Sequence, residues 1–322
     1  MEHIGLVGYY GSGNYGDELF YETWRQKLGY ENTRMVCPQD NLDDIDKIII
    51  GGGDLVWNYD VNNNYFNSKW NENGRKVYVY GVGVALPSEV KIDDNVKKLY
   101  QYFFNEVEYI SVRDKKSQEW FKTVLDIDVE VVGDAAWNFK TKTSIGKQPK
   151  RVGVTYRRND WFQCDDVVKQ LLPLVNEDYR IRFIPLQGGF HNTRVLHQVL
   201  FEEIKRSTDY AAMNLIPINS DSYHTYAEID SCEFYITTAF HGLITGLKTR
   251  VPTLCLSRHN KFTQLLKEVN MEWILCKNND ELVAKLKMIL NGEYKFSKEL
   301  NIAEENAQRD LNKFIAKHIE VK

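Results

Sequence analysis

Three features of the 322-residue sequence predict an α/β fold of two facing, Rossmann-like, doubly wound domains. Short apolar runs alternate with amphipathic stretches along almost the whole chain, the pattern of parallel strands covered by helices. The alternation pauses once, in the polar stretch Asn138 to Lys150, rich in Lys and Thr, and then restarts. The unusual segments, glycine-rich or cationic, fall at the ends of expected strands, where open parallel sheets bind their ligands. An interdomain cleft is therefore the expected site.

The elements follow in order. His3 to Tyr10 reads as a strand, followed by a glycine-rich turn and a helix from about Glu18 to Leu28. Lys47 to Ile50, Val77 to Gly81, Tyr109 to Val112 and Val129 to Val132 supply four more strands. Helices are expected over Asp94 to Phe104 and from Asp114, with Ser117 in the first turn. After the pause come strands Val152–Tyr156, Ile181–Leu186, Leu215–Ile218, Phe234–Thr238 and Thr253–Leu256. Helices near 164–176, 192–206, 222–229 and 241–249 separate them. A short strand Trp273–Cys276, a helix near 280–291 and a charged helix near 299–319 complete the chain. The expected domains are residues 1–140 and 150–290, with 291–322 as a terminal helix.

Composition narrows the function classes. Hydrophobic residues at 43% and charged residues at 27% are ordinary for a globular protein, and a net charge of -4 argues against a chain-wide nucleic-acid footprint. Five scattered cysteines without ligand spacing suggest neither a disulfide framework nor a zinc site. The N-terminal MEHIGLVGYYG lacks a signal-peptide pattern, and no apolar run is long enough to span a bilayer, so a reducing, cytoplasmic setting is expected. Aromatic residues are in excess at 13%. Tyr9, Tyr10, Tyr15, Trp57, Tyr59, Trp137, Tyr156 and Trp161 fall in or beside strand-end loops, so several are expected to line the cleft as platforms for sugar rings.

Five segments could carry chemistry. Gly8 to Glu18 combines four glycines (Gly8, Gly11, Gly13, Gly16) with Ser12, Asn14, Tyr15 and Asp17 before a helix, a turn able to approach an anion. Its spacing fits neither dinucleotide nor P-loop fingerprints, and Asp17 is either a helix cap or a chemical participant. Gly51, Gly52 and Gly53 close a buried strand, either to turn sharply or to admit a ligand. Arg113 ends a strand, suited to a bidentate clamp on carboxylate or phosphate or to a structural ion pair. His241 begins a small-residue helix after Thr237, Thr238 and Ala239. A helix N-terminus disfavours an imidazolium, so His241 as an acid needs a nearby dianion; otherwise it is structural. Arg258 and Lys261, after the last long strand, offer two cations to an anion or a solvated helix start, with Arg157 and Arg158 adding basic density at the same level.

In this order, GYYGSGNYGDE, GGGDL, SVRD with a following Ser, GDAAW at 133–137, a strand-end His-Gly and a Lys after the next strand resemble the polysaccharide pyruvyl transferase family. The resemblance spans about residues 4–265. It implies a GT-B glycosyltransferase-like architecture, an acceptor side in the N-terminal domain and a donor side in the C-terminal one, with the terminal helix returning to the first domain. It implies transfer of the enolpyruvyl unit of phosphoenolpyruvate onto a sugar of a polysaccharide, glycan or lipid-linked glycan precursor, closing a pyruvate ketal. Arg113 would bind the donor carboxylate or phosphate, His241 would be the acid and Lys261 a phosphate ligand, with Gly11, Ser12, Asn14, Tyr15, Asp17, Gly52, Gly53 and Arg258 at the substrates. No metal, further cofactor or nucleic acid is expected, and a lipid-linked acceptor would require only transient membrane contact.

Two positions depart from the family pattern. Ala239 stands where an Arg is usual, and Arg258 where a Tyr is usual, so Arg258 is expected to restore the missing guanidinium. The alternatives are a nucleotide-sugar glycosyltransferase, for which Glu228 and Asp230 are the acids at hand, and a non-catalytic carbohydrate-binding relative.

Overall fold

A computed structural model describes residues 3–57, 65–86, 92–157, 162, 164–187, 213–215 and 221–319. Twelve strands fall among them: β1 Ile4–Val7, β2 Thr33–Met35, β3 Lys47–Gly51, β4 Asp54–Val56, β5 Lys76–Val84, β6 Tyr109–Val112, β7 Glu130–Val131, β8 Arg151–Thr155, β9 Arg180–Phe183, β10 Met213–Leu215, β11 Phe234–Thr237 and β12 Thr253–Cys255. The helices are α1 Tyr15–Leu28, α2 Asp94–Asn105, α3 Lys115–Trp120, α4 Cys164–Asn176, α5 Ser222–Asp230, α6 Phe240–Lys248, α7 Asn260–Glu268, α8 Asn279–Leu290 and α9 Glu299–His318. Every strand pairing is parallel, as strand–helix alternation requires.

The chain forms two compact units. The first comprises Met1–Tyr10, Leu19–Lys140 and Glu305–Lys322, the second Gly11–Glu18 and Thr141–Glu304. The first unit holds a sheet of order β2-β1-β3-β5-β6-β7, with β4 against β5. The second holds the order β10-β9-β8-β11-β12. Strand order reverses between β1 and β3 in one sheet and between β8 and β11 in the other. Such switch points leave a crevice at the carboxyl ends of the two central strands, where α/β folds bind ligands.

In the first unit Ile48, Ile50, Val77 and Val79 alternate with residues equally buried on the opposite sheet face. The helix α2 covers one face with Tyr100, Phe103 and Phe104, three and four residues apart and therefore on one side. Their rings meet Phe66 at 5.5, 5.5 and 5.1 Å. Each such ring buried adds about 1.5–3 kcal/mol. On the other face the C-terminal part of α9 places Phe314 among Trp24, Tyr78, Tyr80 and Tyr109, with centroids 4.9–5.9 Å away.

Several local expectations are corrected. The first helix begins at Tyr15, not Glu18, because Asn14 caps it: its Oδ1 accepts from Gly16 N at 3.1 Å and its carbonyl from Glu18 N at 3.0 Å. Asp17 is therefore inside the first turn rather than the cap. The strands β2 and β4 were not expected; at three residues each they are too short to show a period. Trp273–Cys276 is not a strand but a 3-10 turn, Glu272–Ile274, followed by a single bridge from Leu275 to Cys255. Asn138 and Phe139, assigned to the polar linker, are buried in the first unit. The helix expected near 192–206 and the strand residues 216–218 lie outside the described residues.

Candidate active site

His241 stands at the switch point of the second sheet. Strand β11 ends at Thr237, and the chain passes through Thr238 and Ala239 into α6, whose second residue is His241. The crossing is held by hydroxyls. Thr237 Oγ1 accepts from Ala239 N at 2.9 Å, and Thr238 Oγ1 accepts from Arg157 N, just beyond β8, at 2.5 Å. Ala239 is the N-cap and no side chain caps α6. The residue types that precede His241 are therefore those needed to turn a buried strand into a helix beside β8.

The glycine-rich loop of the same unit lies against this helix. Asn14 forms an antiparallel bridge with Gln187, and Tyr15 N donates to Leu186 O at 3.0 Å. Tyr15 is buried, and its phenol meets Thr245 Oγ1 of α6 at 3.0 Å. Burial pushes the phenol well above the usual tyrosine pKa, outweighing the lowering by the Thr245 hydrogen bond. At Gly16 a Cβ would fall 1.8 Å from His241 Nδ1, so only glycine permits this approach. Gly11 adopts a φ of 71° at the start of the loop, and Asn14 N donates to Ser12 Oγ at 3.3 Å. Asp17 is buried, whereas Glu18 Oε1 accepts from Gly13 N at 3.3 Å.

Past β12 the chain places Ser257, Arg258 and Lys261 around the start of α7. Lys261 Nζ lies 5.4 Å from the centre of the Phe240 ring, which also meets the His241 ring edge-on at 5.4 Å. Phe240 thus connects the imidazole to the ammonium, a link the sequence did not suggest because an aromatic residue there reads as core. Arg258 is exposed. The α7 N-cap, His259, supplies no capping side chain. Ser257 is 1% exposed, and its hydroxyl has no hydrogen-bond partner among the described residues. It was also missed, because a serine between a strand and two cations carries no distinctive pattern.

The remaining sites belong to the first unit. Gly52 and Gly53 adopt φ of 80° and 77°, and a Cβ on Gly52 would strike the Phe20 ring at 2.2 Å. Backbone shape and packing account for both glycines here. Arg113, with a side chain 4% exposed, pairs with Asp54 and, at 3.5 Å, with Asp134. Burial opposes its charge, but the attraction of Asp54, then Asp134 and Asp114, raises its pKa above the ordinary value. Its cation is already matched by carboxylates.

The aromatic expectation fails. Among the described members Tyr10, Tyr15, Trp137 and Tyr156 are buried; Tyr9 is exposed and Trp57 half-buried. Tyr59 and Trp161, like Arg158, lie outside the described residues. The excess serves packing more than a sugar platform.

Comparison with known proteins agrees with the fold. The UDP-GlcNAc 2-epimerase of Methanocaldococcus jannaschii superposes with a TM-score of 0.60 at 12% identity, covering 97% of this chain and 100% of the epimerase. The S. aureus MnaA–UDP complex gives 0.61 at 11% identity, covering 100% and 98%. The Neisseria meningitidis UDP-GlcNAc 2-epimerase bound to UDP-GlcNAc gives 0.56 at 9% identity, covering 99% and 100%. These identities speak to architecture alone, a GT-B-like pair of Rossmann units. No curated protein sequence matches. A family model described as polysaccharide pyruvyl transferase matches residues 14–260, from the capping Asn14 through His241 to the first residue of α7, and the chain belongs to that family.

Proposed function

We propose that the protein transfers the enolpyruvyl unit of phosphoenolpyruvate to a sugar of a polysaccharide or glycan precursor and closes a pyruvate ketal there. The observation that carries this reading is the grouping of His241 with Lys261 through Phe240 at the switch point of the second sheet. His241 delivers a proton to the methylene carbon of the donor, creating an oxocarbenium-like centre at the adjacent carbon. A sugar hydroxyl adds to that centre and loses its proton. The carbon–oxygen bond to phosphate then breaks, regenerating the oxocarbenium-like centre, and a second hydroxyl adds there and gives up its proton to the departing phosphate, closing the ketal. Lys261 and Arg258 hold the phosphate, whose negative charge favours the protonated imidazole that the first step consumes. Ser257 has an uncommitted buried hydroxyl within the same strand-end segment and is a further candidate ligand for a donor oxygen.

Arg258 is proposed to supply the guanidinium missing at Ala239. If it does, Arg258→Ala raises the KM for phosphoenolpyruvate; an unchanged KM refutes the compensation. The resemblance gives Arg113 to the donor's anionic groups, although an incoming anion would compete there with Asp54 and Asp134. Arg113→Lys separates the roles: a donor ligand loses affinity for phosphoenolpyruvate, whereas an internal tie alters stability more than KM.

The nucleotide-sugar alternative asks for an acid free to meet a ribose. Glu228 is instead buried between Arg151, at 3.4 Å, and Arg182, at 3.2 Å, and Asp230 pairs with Lys147 at 3.1 Å. Both acids already have cations. The deciding assay supplies an acceptor glycan with either phosphoenolpyruvate or a nucleotide sugar and measures phosphate or nucleotide release. Phosphate release is expected, and His241→Ala is expected to lower its rate by about a hundredfold or more; full turnover by that variant would remove His241 as the acid.

A further inference from the structure

We infer that Tyr15 is a positioning residue for His241, its phenol fastening the glycine-rich loop to α6 so that Gly16 backs the imidazole. The inference deepens the reading of His241 as the acid and rests on it. It assigns Tyr15 a role distinct from substrate contact.

Thr245 Oγ1 donates its single proton to the carbonyl of His241, one helical turn back, at 2.8 Å. The 3.0 Å contact between Tyr15 and Thr245 must then run the other way, from the phenol to Oγ1. A chain of two bonds, Tyr15 to Thr245 to the His241 carbonyl, therefore joins the loop to the residue that bears the imidazole. Burial keeps the phenol protonated, so this donor persists across the working pH range. The loop is also fixed by the antiparallel bridge of Asn14 with Gln187, which includes the bond from Tyr15 N to Leu186 O at 3.0 Å, and braced internally by Gly16 N donating to Asn14 Oδ1 at 3.1 Å. The residue after Tyr15 is the one whose missing side chain leaves room for His241 Nδ1. A phenol that only filled the core would not need to end on the helix carrying the acid.

The test follows the imidazole directly. The full chain carrying isotopically labelled histidine is titrated by NMR as wild type, Tyr15→Phe, Thr245→Val and the double variant. Positioning predicts that each single variant displaces the His241 titration, that the double variant goes no further, and that the other histidines stay in place. In the phosphoenolpyruvate assay, Tyr15→Phe is expected to lower kcat by about tenfold to a hundredfold while KM changes by less than about twofold. An unchanged His241 titration, a shift shared by all histidines, or additive effects of the two substitutions would overturn the inference. Where Tyr15→Phe fails to fold, Thr245→Ser against Thr245→Val makes the same comparison, since serine retains the hydroxyl. If His241 responds but the wild type releases no phosphate from phosphoenolpyruvate, the reaction is wrong and the positioning of His241 stands.

Discussion

Gly16 and Arg113 show how single residues constrain their surroundings. A methyl group on Gly16 would overlap His241 Nδ1, so the imidazole must move in Gly16→Ala. That variant is expected to lose about tenfold to a hundredfold in kcat, measured by initial rates alongside a melting curve. Arg113 has a different sensitivity. Removing it leaves Asp54 and Asp134 without their shared cation, and Arg113→Ala is expected to cost on the order of 3 kcal/mol in urea unfolding. The thiols divide by burial. Cys232, Cys255 and Cys276 are buried and their pKa values are pushed up to about 12 by desolvation, whereas Cys37 is exposed. A thiol reagent at neutral pH should label Cys37 in the native protein and these three only after unfolding, as read by peptide mass spectrometry.

At the scale of elements, α9 is the clearest case. Phe314 sits within 6 Å of four aromatic rings of the first unit. Phe314→Ala should therefore cost about 3–5 kcal/mol, measured by denaturant unfolding. One turn later, His318 packs on Tyr78 and Tyr109, at 5.4 and 5.0 Å. Burial, and then the charge of Lys317, hold its pKa below the ordinary 6.5. The unfolded chain thus binds this proton at higher pH than the fold does. Its stabilising contribution is present above about pH 6.5 and is lost as the pH falls through that value toward the folded pKa. His318→Gln should lose less stability than the wild type between pH 7.5 and 5.5, as compared by urea midpoints. The elements also show what sequence can reveal. Long strands with glycine or cationic ends were legible because period and turn chemistry are local. The start of α1 was not, because Asn14 and Asp17 are both good caps and only the tertiary setting chooses between them. The pairing of Arg113 with carboxylates 59 and 21 residues away was equally hidden.

At the scale of the molecule, the order of motifs made the family legible, and strand–helix alternation made the paired parallel sheets legible. The aromatic excess was misleading for the converse reason: composition counts rings without saying which face of a strand they occupy. No helix among the described residues is long and apolar enough to cross a membrane. The two units are also not consecutive in sequence. Gly11–Glu18 belongs to the second, and Glu305–Lys322 to the first. Fragments 1–140 and 141–322, produced separately, should each lack cooperative melting and regain it when mixed.

This interlacing has an evolutionary consequence. A single recombination event near residue 140 cannot exchange one unit for another, because the loop beside His241 is encoded far upstream of the rest of its unit. A graft of the second unit has to carry Asn14 to Gly16 together with α6. The short loop before α1 therefore constrains how this architecture can diversify far more than its eight residues suggest.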